Sequence, residues 1–229
     1  MSAWAVTAET LRIGTEGAYP PFNFINDNGT LDGLDREFGD ELCRRMQVKC
    51  EWVLNDWDTI IPNLVGGNYD LVIATMGITS ERDAVIDFSE PYLPAEPSAY
   101  AALSAATDNV VNANIAAQAN TIQADHVVKT GGTLVEFPTP DAAIAAVKNG
   151  EADAVLAGKK FLKGILAESG GELAFVGNDV DLGVAAGVGL RENSGSLLQQ
   201  TDSAIISMKK DGYINDLIEK WLGPDAEKF

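Results

Sequence analysis

Between Asp70 and Arg82 the chain reads DLVIATMGITSER: an apolar run, then small and hydroxyl-bearing residues, then a fixed cation. A guanidinium at that place can hold a carboxylate through two parallel N–H bonds, each charge-assisted bond worth about 1.5–3 kcal/mol, with Thr75 and backbone N–H groups completing the shell. The plainer alternative is a solvated arginine in the first turn of SERDAVIDF. Other segments bring residues of matching chemistry. Glu16, after LRIGT, is the best-placed acceptor for an amino or guanidino group, although a surface carboxylate is the default for that residue type. Tyr19 and Trp57 can wall a site for methylenes or a cation, whereas Trp52 and Trp221 read as core. Thr75, Met76, Gly77 and Thr79 follow DLVIA, Asn120 and Thr121 follow NIAAQ, and Gly158 follows DAVLA. Together these residue types describe a small polar pocket for a zwitterion.

Other chemistries lack their parts. His126, the single histidine, sits in QADHVVK with the pattern of a helix surface, and no nucleophile with a neighbouring base is apparent. Asp141 in PTPDAAIAAV is expected as an N-cap rather than an acid–base group. One histidine and two cysteines are too few ligands for a zinc site, so neither a metal nor another cofactor is expected. With 34 acidic residues against 16 basic ones, a net charge of −18 opposes phosphate backbones and anionic lipid surfaces. Nucleic acid is therefore not an expected partner. No window approaches the ~18 uninterrupted apolar residues of a membrane helix. Ala3-Trp4-Ala5 has the small-x-small pattern of a signal peptidase site without the basic and apolar regions that precede one. Residues 1–5 are expected to be the remnant of a trimmed export signal, with an ordinary cytosolic start as the alternative.

The elements that must carry these residues alternate in type. LRIGT, CEWVL and DLVIAT have strand character, and DREFGDELCRRM and DTIIPNLVGG between them have helical character, which implies an α/β sheet with mostly parallel strands. Pro62 sets the start of the second helix near Thr59 or Ile60. GNYDLVIA at 67–74 is echoed by GEADAVLA at 150–157. Gly67 and Gly150 suit the left-handed position just past a helix end, and each Asp opens a buried strand. Two similarly built lobes explain the echo, with chance similarity as the competing explanation. Crossings between lobes are expected near 99–102 and 184–187, and the tail from 194 to 221 reads as helices, with Gly212 as a stop, that return to the first lobe. One helix carrying both Cys43 and Cys50 would hold them ~10 Å apart, beyond disulfide reach. A helix ending near Met46 and a strand beginning at Lys49 bring them together, and this disulfide, with an oxidising compartment, is favoured over two free thiols.

LRIGTEGAYPPFNF, GTLDGLDREFGDELCRRMQVKCEW, DTIIPNLVGGNYDLVIATMGITSERDAVIDFSEPYL, GVGLRENSG and KKDGYINDLIEKWLG together resemble the periplasmic solute-binding proteins of polar amino-acid ABC importers, in particular the lysine/arginine/ornithine- and histidine-binding group. The likeness is nearly end to end, strong from Leu11 to Leu93 and thinner from Ala95 to Val135. It implies a two-lobed α/β fold of the type II periplasmic-binding-protein kind, with two hinge strands and a ligand cleft between lobes. Lobe 1 is expected over 6–98 and 188–229, lobe 2 over 99–187. The resemblance further implies the Cys43–Cys50 disulfide, a periplasmic monomer with its signal peptide removed, and a closed form recognised by an ABC permease in the inner membrane. Position by position it puts the ligand α-carboxylate on Arg82, the side chain against Tyr19 and Trp57, a distal basic group at Glu16 and an added hydroxyl at Thr75. Asn120, Thr121, Ile122 and Gln123 occupy the second-lobe loop and helix start that help hold the ligand in such proteins.

Two positions depart from that pattern. Gly77 stands where amino-acid binders carry Ser or Thr, and Gly158 where they carry an Asp for the primary ammonium; both changes are expected to remove polar groups and open space. ATMGIT and ADAVLAG look closer to opine-binding proteins of the nopaline and octopine type, whose ligands carry a second carboxylate-bearing substituent on the α-nitrogen. The expected ligand is thus an opine or another N-substituted amino acid, with arginine, ornithine or histidine as the alternative. QANTI differs from both subgroups and leaves another ligand class open. Two further functions compete: an enzyme on the same scaffold resembling dehydratases, from which Gly158 removes the obvious proton donor, and the sensor domain of a membrane receptor.

Overall fold

The computed structural model describes residues 10–104, 110 and 113–229; the expected export-signal remnant lies outside them. In chain order the elements are β1 (Thr10–Thr15), β2 (Ala18–Tyr19), β3 (Asn23–Ile25), β4 (Leu31–Asp32), α1 (Leu34–Met46), β5 (Lys49–Leu54), α2 (Trp57–Val65), β6 (Leu71–Val72), α3 (Ser80–Asp83), β7 (Asp87–Phe88), β8 (Ser98–Leu103), β9 (Asn114–Gln118), α4 (Ile122–Lys129), β10 (Thr133–Phe137), α5 (Pro140–Lys148), β11 (Ala154–Gly158), α6 (Lys159–Glu168), β12 (Leu173–Val180), β13 (Gly189–Leu190), α7 (Gly195–Asp211) and α8 (Tyr213–Leu222). Two five-stranded sheets form, ordered β5-β1-β6-β13-β7 and β10-β9-β11-β8-β12, and β2, β3 and β4 make a small antiparallel sheet. The molecule is a two-lobed α/β protein.

The large sheets share a plan. A parallel trio, β5-β1-β6 in one and β10-β9-β11 in the other, is followed by two antiparallel pairings. Each sheet is therefore mixed, not mostly parallel as the alternation suggests. The reason lies in the connections: β8 and β13 arrive from the opposite sheet rather than through a βαβ unit, and they enter reversed. Ala99 to Ala102 lie inside β8, so the first passage runs earlier than expected, over 89–97; the second runs over 181–188, where Ala186 bridges both Gly77 and Leu93.

The echoed segments occupy matching places. Asp70 and Asp153 each donate a backbone N–H to the neighbouring first strand, at Arg12 and Asn114, over 2.8 and 2.9 Å. Their carboxylates accept the N–H of the same two residues at 3.0 and 2.7 Å. Gly67 and Gly150 are left-handed, with φ of 81° and 76°. In both units an aspartate thus clamps the strand beside it while a glycine makes the turn that delivers it.

α2 begins at Trp57, about two residues before the expected start, and Pro62 sits inside it. The early start is held by Asn55, whose amide donates to the Asp56 carbonyl at 2.8 Å and to Thr59 Oγ1 at 2.9 Å. That places Trp57 at the helix mouth. At α5 the cap is Thr139, whose hydroxyl accepts the Ala142 N–H at 3.2 Å, and Asp141 falls in the first turn instead. α1 ends at Met46, Gln47 turns left-handed at φ 59°, and Cys43 and Cys50 are disulfide-bonded with Cα atoms 6.0 Å apart. The terminal helices pack Ile205, Met208, Ile214 and Ile218 against Phe38 of α1 and Ile13 and Leu71 of the first sheet, while Ile144, Val147, Phe161 and Leu162 fill the second lobe.

The end of β1 depends on one close approach. A Cβ on Gly14 would stand 2.6 Å from Tyr69 Cε2. Tyr69 is fully buried and its hydroxyl donates to the Ile60 carbonyl at 2.5 Å, so the ring cannot retreat. Gly14→Ala is expected to reduce stability by about 1–3 kcal/mol, seen as a lower thermal midpoint; an unchanged midpoint would show that the ring yields.

Candidate functional site

The ends of β1, β6, β9 and β11 converge on the space between the two sheets, as strand ends do at ligand sites of α/β folds. The cavity there measures about 370 Å³, within the range of small-molecule sites. Glu16, Tyr19, Trp57, Thr75, Gly77 and Arg82 line it from the first sheet's side, and Thr121, Gln123 and Gly158 from the second. Met76 does not line it; its side chain is fully buried among Ile60, Leu64 and Ile86. Asn120 does not line it either: its carbonyl is an acceptor for other side chains, and its side-chain amide donates to Asp58 at 3.2 Å.

Arg82 is the node. Thr79 caps α3 by accepting the Arg82 N–H at 3.2 Å, which sets the direction of the arginine. Nη1 donates to the Gly77 carbonyl at 2.9 Å and Nη2 to the Asn120 carbonyl at 3.0 Å, so one guanidinium joins both lobes. It lies 5.3 Å from the Trp57 ring centroid, and Trp57 Nε1 donates to the same Asn120 carbonyl at 3.2 Å. Burial lowers Arg82 to about 10, which leaves it charged at neutral pH. A guanidinium has five N–H donors, and two of them are spent on these carbonyls.

Thr75 serves the site indirectly. Its backbone is left-handed at φ 49°, held there by its N–H donating to Tyr92 Oη at 3.0 Å and its hydroxyl to Asp35 at 2.8 Å. Asp35 also accepts from the Tyr92 hydroxyl at 2.7 Å and from the Asn23 amide at 2.8 Å. Asn23 in turn accepts the Gly17 N–H at 2.9 Å. One buried carboxylate thus fixes both the loop carrying Glu16 and the turn leading to Arg82. Desolvation pushes Asp35 up to about 6 against those hydrogen bonds. Sequence inspection missed it because an acid in a helix's first turn ordinarily needs no explanation beyond the helix dipole.

Glu16 accepts from Gln118 Nε2 across the cleft at 2.6 Å. Burial pushes it up to about 7, with Asp56, Asp58 and Asp141 adding in the same direction. Tyr19 stacks on Phe161 of the other lobe at 4.3 Å and 12°, and its hydroxyl accepts the Gly158 N–H at 2.9 Å. Gln123 donates to Ser98 Oγ at 3.0 Å, and Thr121 caps α4 through the Ala124 N–H.

The two glycines do not open space. A Cβ on Gly77 would lie 2.7 Å from Val184 Cγ1, and one on Gly158 would lie 2.8 Å from Tyr19 Oη. The expected room is taken by Val184 and by the tyrosine hydroxyl, from segments whose proximity sequence spacing does not reveal. Also unanticipated is Glu96, which lines the cavity between Pro94 and Pro97; burial pushes it up to about 7, with Lys160 pulling the other way. Its signal, an acid flanked by prolines in a passage between lobes, is visible only once that passage is known to face the cavity.

A family model for bacterial extracellular solute-binding proteins, family 3, matches residues 11–224. The lysine/arginine/ornithine-binding periplasmic protein of Escherichia coli strain K12 is 30% identical over 96% of this chain and 90% of its own length. The octopine-binding periplasmic protein of Rhizobium meliloti is 48% identical over 88 residues, 38% of this chain and 30% of that protein. A crystal structure of a periplasmic His/Glu/Gln/Arg/opine family-binding protein from Silicibacter pomeroyi in complex with lysine matches with a TM-score of 0.92 at 57% identity, covering 96% of this chain and 100% of that one.

One buried acid, Asp35, and two half-buried ones, Glu16 and Glu96, give the fold a pH signature. Glu16 and Glu96 stand near 7 against an ordinary 4.5, and Asp35 near 6 against 3.8. Between about pH 4.5 and 7 the folded chain therefore binds more protons than the unfolded one, and stability falls as pH rises through that window. Glu41, held below its ordinary range by the Arg44 hydrogen bond, acts below it. Thermal midpoints of the ligand-free protein should fall from pH 5 to 8, and fall less in the double variant Glu16→Gln, Glu96→Gln. Equal slopes would show that these two acids are not the ones responsible.

Proposed function

The chain belongs to the bacterial extracellular solute-binding proteins, family 3, and on that premise we propose that it binds an amino-acid zwitterion bearing a second cationic group and delivers it to the permease of an ABC importer. The observation that carries this reading is the charge set of one cavity: a guanidinium that stays charged, together with two half-buried carboxylates, Glu16 and Glu96, that desolvation raises to about 7. A ligand carboxylate supplies acceptors for the unspent N–H donors of Arg82, and a ligand cation supplies the counter-charge that Glu16 lacks. Trp57 and the Tyr19–Phe161 stack offer apolar faces to the methylenes between them. The lysine complex of the 57% identical protein supports the ligand class.

The moving parts in this proposal are lobe 1, residues 6–98 and 188–229, and lobe 2, residues 99–187. Glu16–Gln118, Tyr19–Gly158 and Arg82–Asn120 each span the two, so closure and ligand capture draw on the same residues. The protein works as a non-catalytic monomer in the periplasm, exported with its signal peptide removed, and the closed form is what the permease reads. A substituent on the α-nitrogen gains nothing from Gly77, where Val184 stands. An opine of the octopine type is a second reading for a different reason: Lys160 lines the cavity and could meet a second carboxylate.

Calorimetric titration with lysine, arginine, ornithine, histidine, octopine and nopaline tests both. Lysine, arginine or ornithine should bind most tightly; tight opine binding without them selects the second reading, and no binding by any of the six overturns the proposal. Arg82→Ala should weaken the bound ligand about 30-fold or more. Unchanged affinity would remove the guanidinium from the site.

A further inference from the structure

We infer that Glu96 receives the ligand's α-ammonium, while Glu16 receives the distal cation; the inference rests on the ligand class proposed above. The α-ammonium and the α-carboxylate hang from one carbon, so whatever binds the first must lie close to the partner of the second. Arg82 is anchored on the Gly77 carbonyl, Gly77 is bridged to Ala186, and Ala186 is bridged to Leu93, three residues before Glu96. The stretch bearing Glu96 is thereby tied through two backbone bridges to the strand segment that anchors the guanidinium. On its other side Glu96 lies two residues ahead of Ser98, the register partner of Gly158, and the Lys159 N–H donates to the Pro97 carbonyl at 2.9 Å.

Of the other carboxylates that line the cavity besides Glu16, Asp225 and Glu227 are exposed residues of the C-terminal tail, whereas Glu96 is half-buried. Gly158 has no side chain, its N–H is given to Tyr19, and a Cβ there would meet the tyrosine oxygen at 2.8 Å. Glu96 itself is unspent: among the described residues none donates a hydrogen bond to its carboxylate, and the cation it feels, Lys160, gives its ammonium to the Leu222 carbonyl at 2.9 Å. Pro94 and Pro97 restrict the backbone on either side, so the carboxylate is presented by a stiff segment rather than a mobile loop. Glu16 sits in the opposite environment. It is engaged by Gln118 and surrounded by the field of Asp56, Asp58 and Asp141, which suits a cation at the far end of an extended side chain.

The test compares lysine with 6-aminohexanoate, the same molecule without its α-amino group, by calorimetric titration of wild type, Glu96→Gln and Glu16→Gln. In Glu96→Gln, lysine should weaken about 10- to 100-fold while 6-aminohexanoate changes less than about twofold, because only lysine has lost a partner. In Glu16→Gln, both should weaken. Equal losses for the two compounds in Glu96→Gln, or no loss of lysine, would overturn the assignment. If wild type binds no cationic amino acid, the ligand class falls and this inference with it. If wild type binds lysine and Glu96→Gln binds it equally well, this inference alone falls. Unliganded thermal midpoints separate a binding defect from a folding one: a variant that no longer melts cooperatively counts against Glu96 as a ligand group, since the carboxylate is then needed by the fold.

Discussion

A guanidinium in a cleft cannot discharge itself at neutral pH, so it must be given acceptors, and Arg82 takes one from each lobe. Much of the site's geometry follows from that need. Thr79 caps the short helix that aims the side chain, Trp57 lies against the cation, and the Asn120 carbonyl is shared by both. Because the second acceptor belongs to the other lobe, separating the lobes strips the guanidinium of one of its two backbone-carbonyl acceptors and returns it to water. Any anion that engages the remaining donors adds its binding energy to the arrangement in which both carbonyls are in place, and that is how a local ion contact becomes a bias on lobe position.

Behind the arginine stands a second constraint, the buried Asp35. Three side chains donate to it, and through them it ties β3, the turn after β6 and Tyr92 into one unit. The left-handed Thr75 would be costly without it, since a β-branched residue rarely adopts positive φ. The strain is placed where the chain leaves the sheet to reach Gly77 and Arg82. Rigid support of this kind lets the ligand-facing groups stay where closure requires them, at the ends of regular strands rather than on free loops.

Residues that follow strands in the linear order were legible because the α/β plan puts strand ends at the cavity: Glu16 after β1, Thr75 and Arg82 after β6, Thr121 after β9, Gly158 at the end of β11. The echo of Gly67–Asp70 in Gly150–Asp153 was legible for the same reason, since a left-handed turn and a strand clamp leave a fixed spacing. What stayed hidden depends on juxtaposition without a sequence period. Val184 against Gly77 and Tyr19 against Gly158 are contacts between distant segments, and a glycine announces a missing side chain without saying what fills the gap. The antiparallel entry of β8 and β13 was hidden too, because strand pattern carries no direction. Met76 follows an apolar strand as Thr75 does, yet alternation turns it into the core.

The balance of closure can be argued from these contacts. The Tyr19–Phe161 stack and the hydrogen bonds Tyr19–Gly158 and Glu16–Gln118 favour the closed arrangement, each by about 0.5–1.5 kcal/mol. Against them stands the burial of Glu16 and Glu96, which raises both carboxylates to about 7 and so disfavours their charged forms in this arrangement. A cationic group at each acid removes the opposing contribution and turns it into attraction, whereas a neutral or anionic guest leaves it in force. Selectivity for charge and control of closure are then one effect: the acids that discriminate among ligands are the same groups that hold the lobes back until the right one arrives.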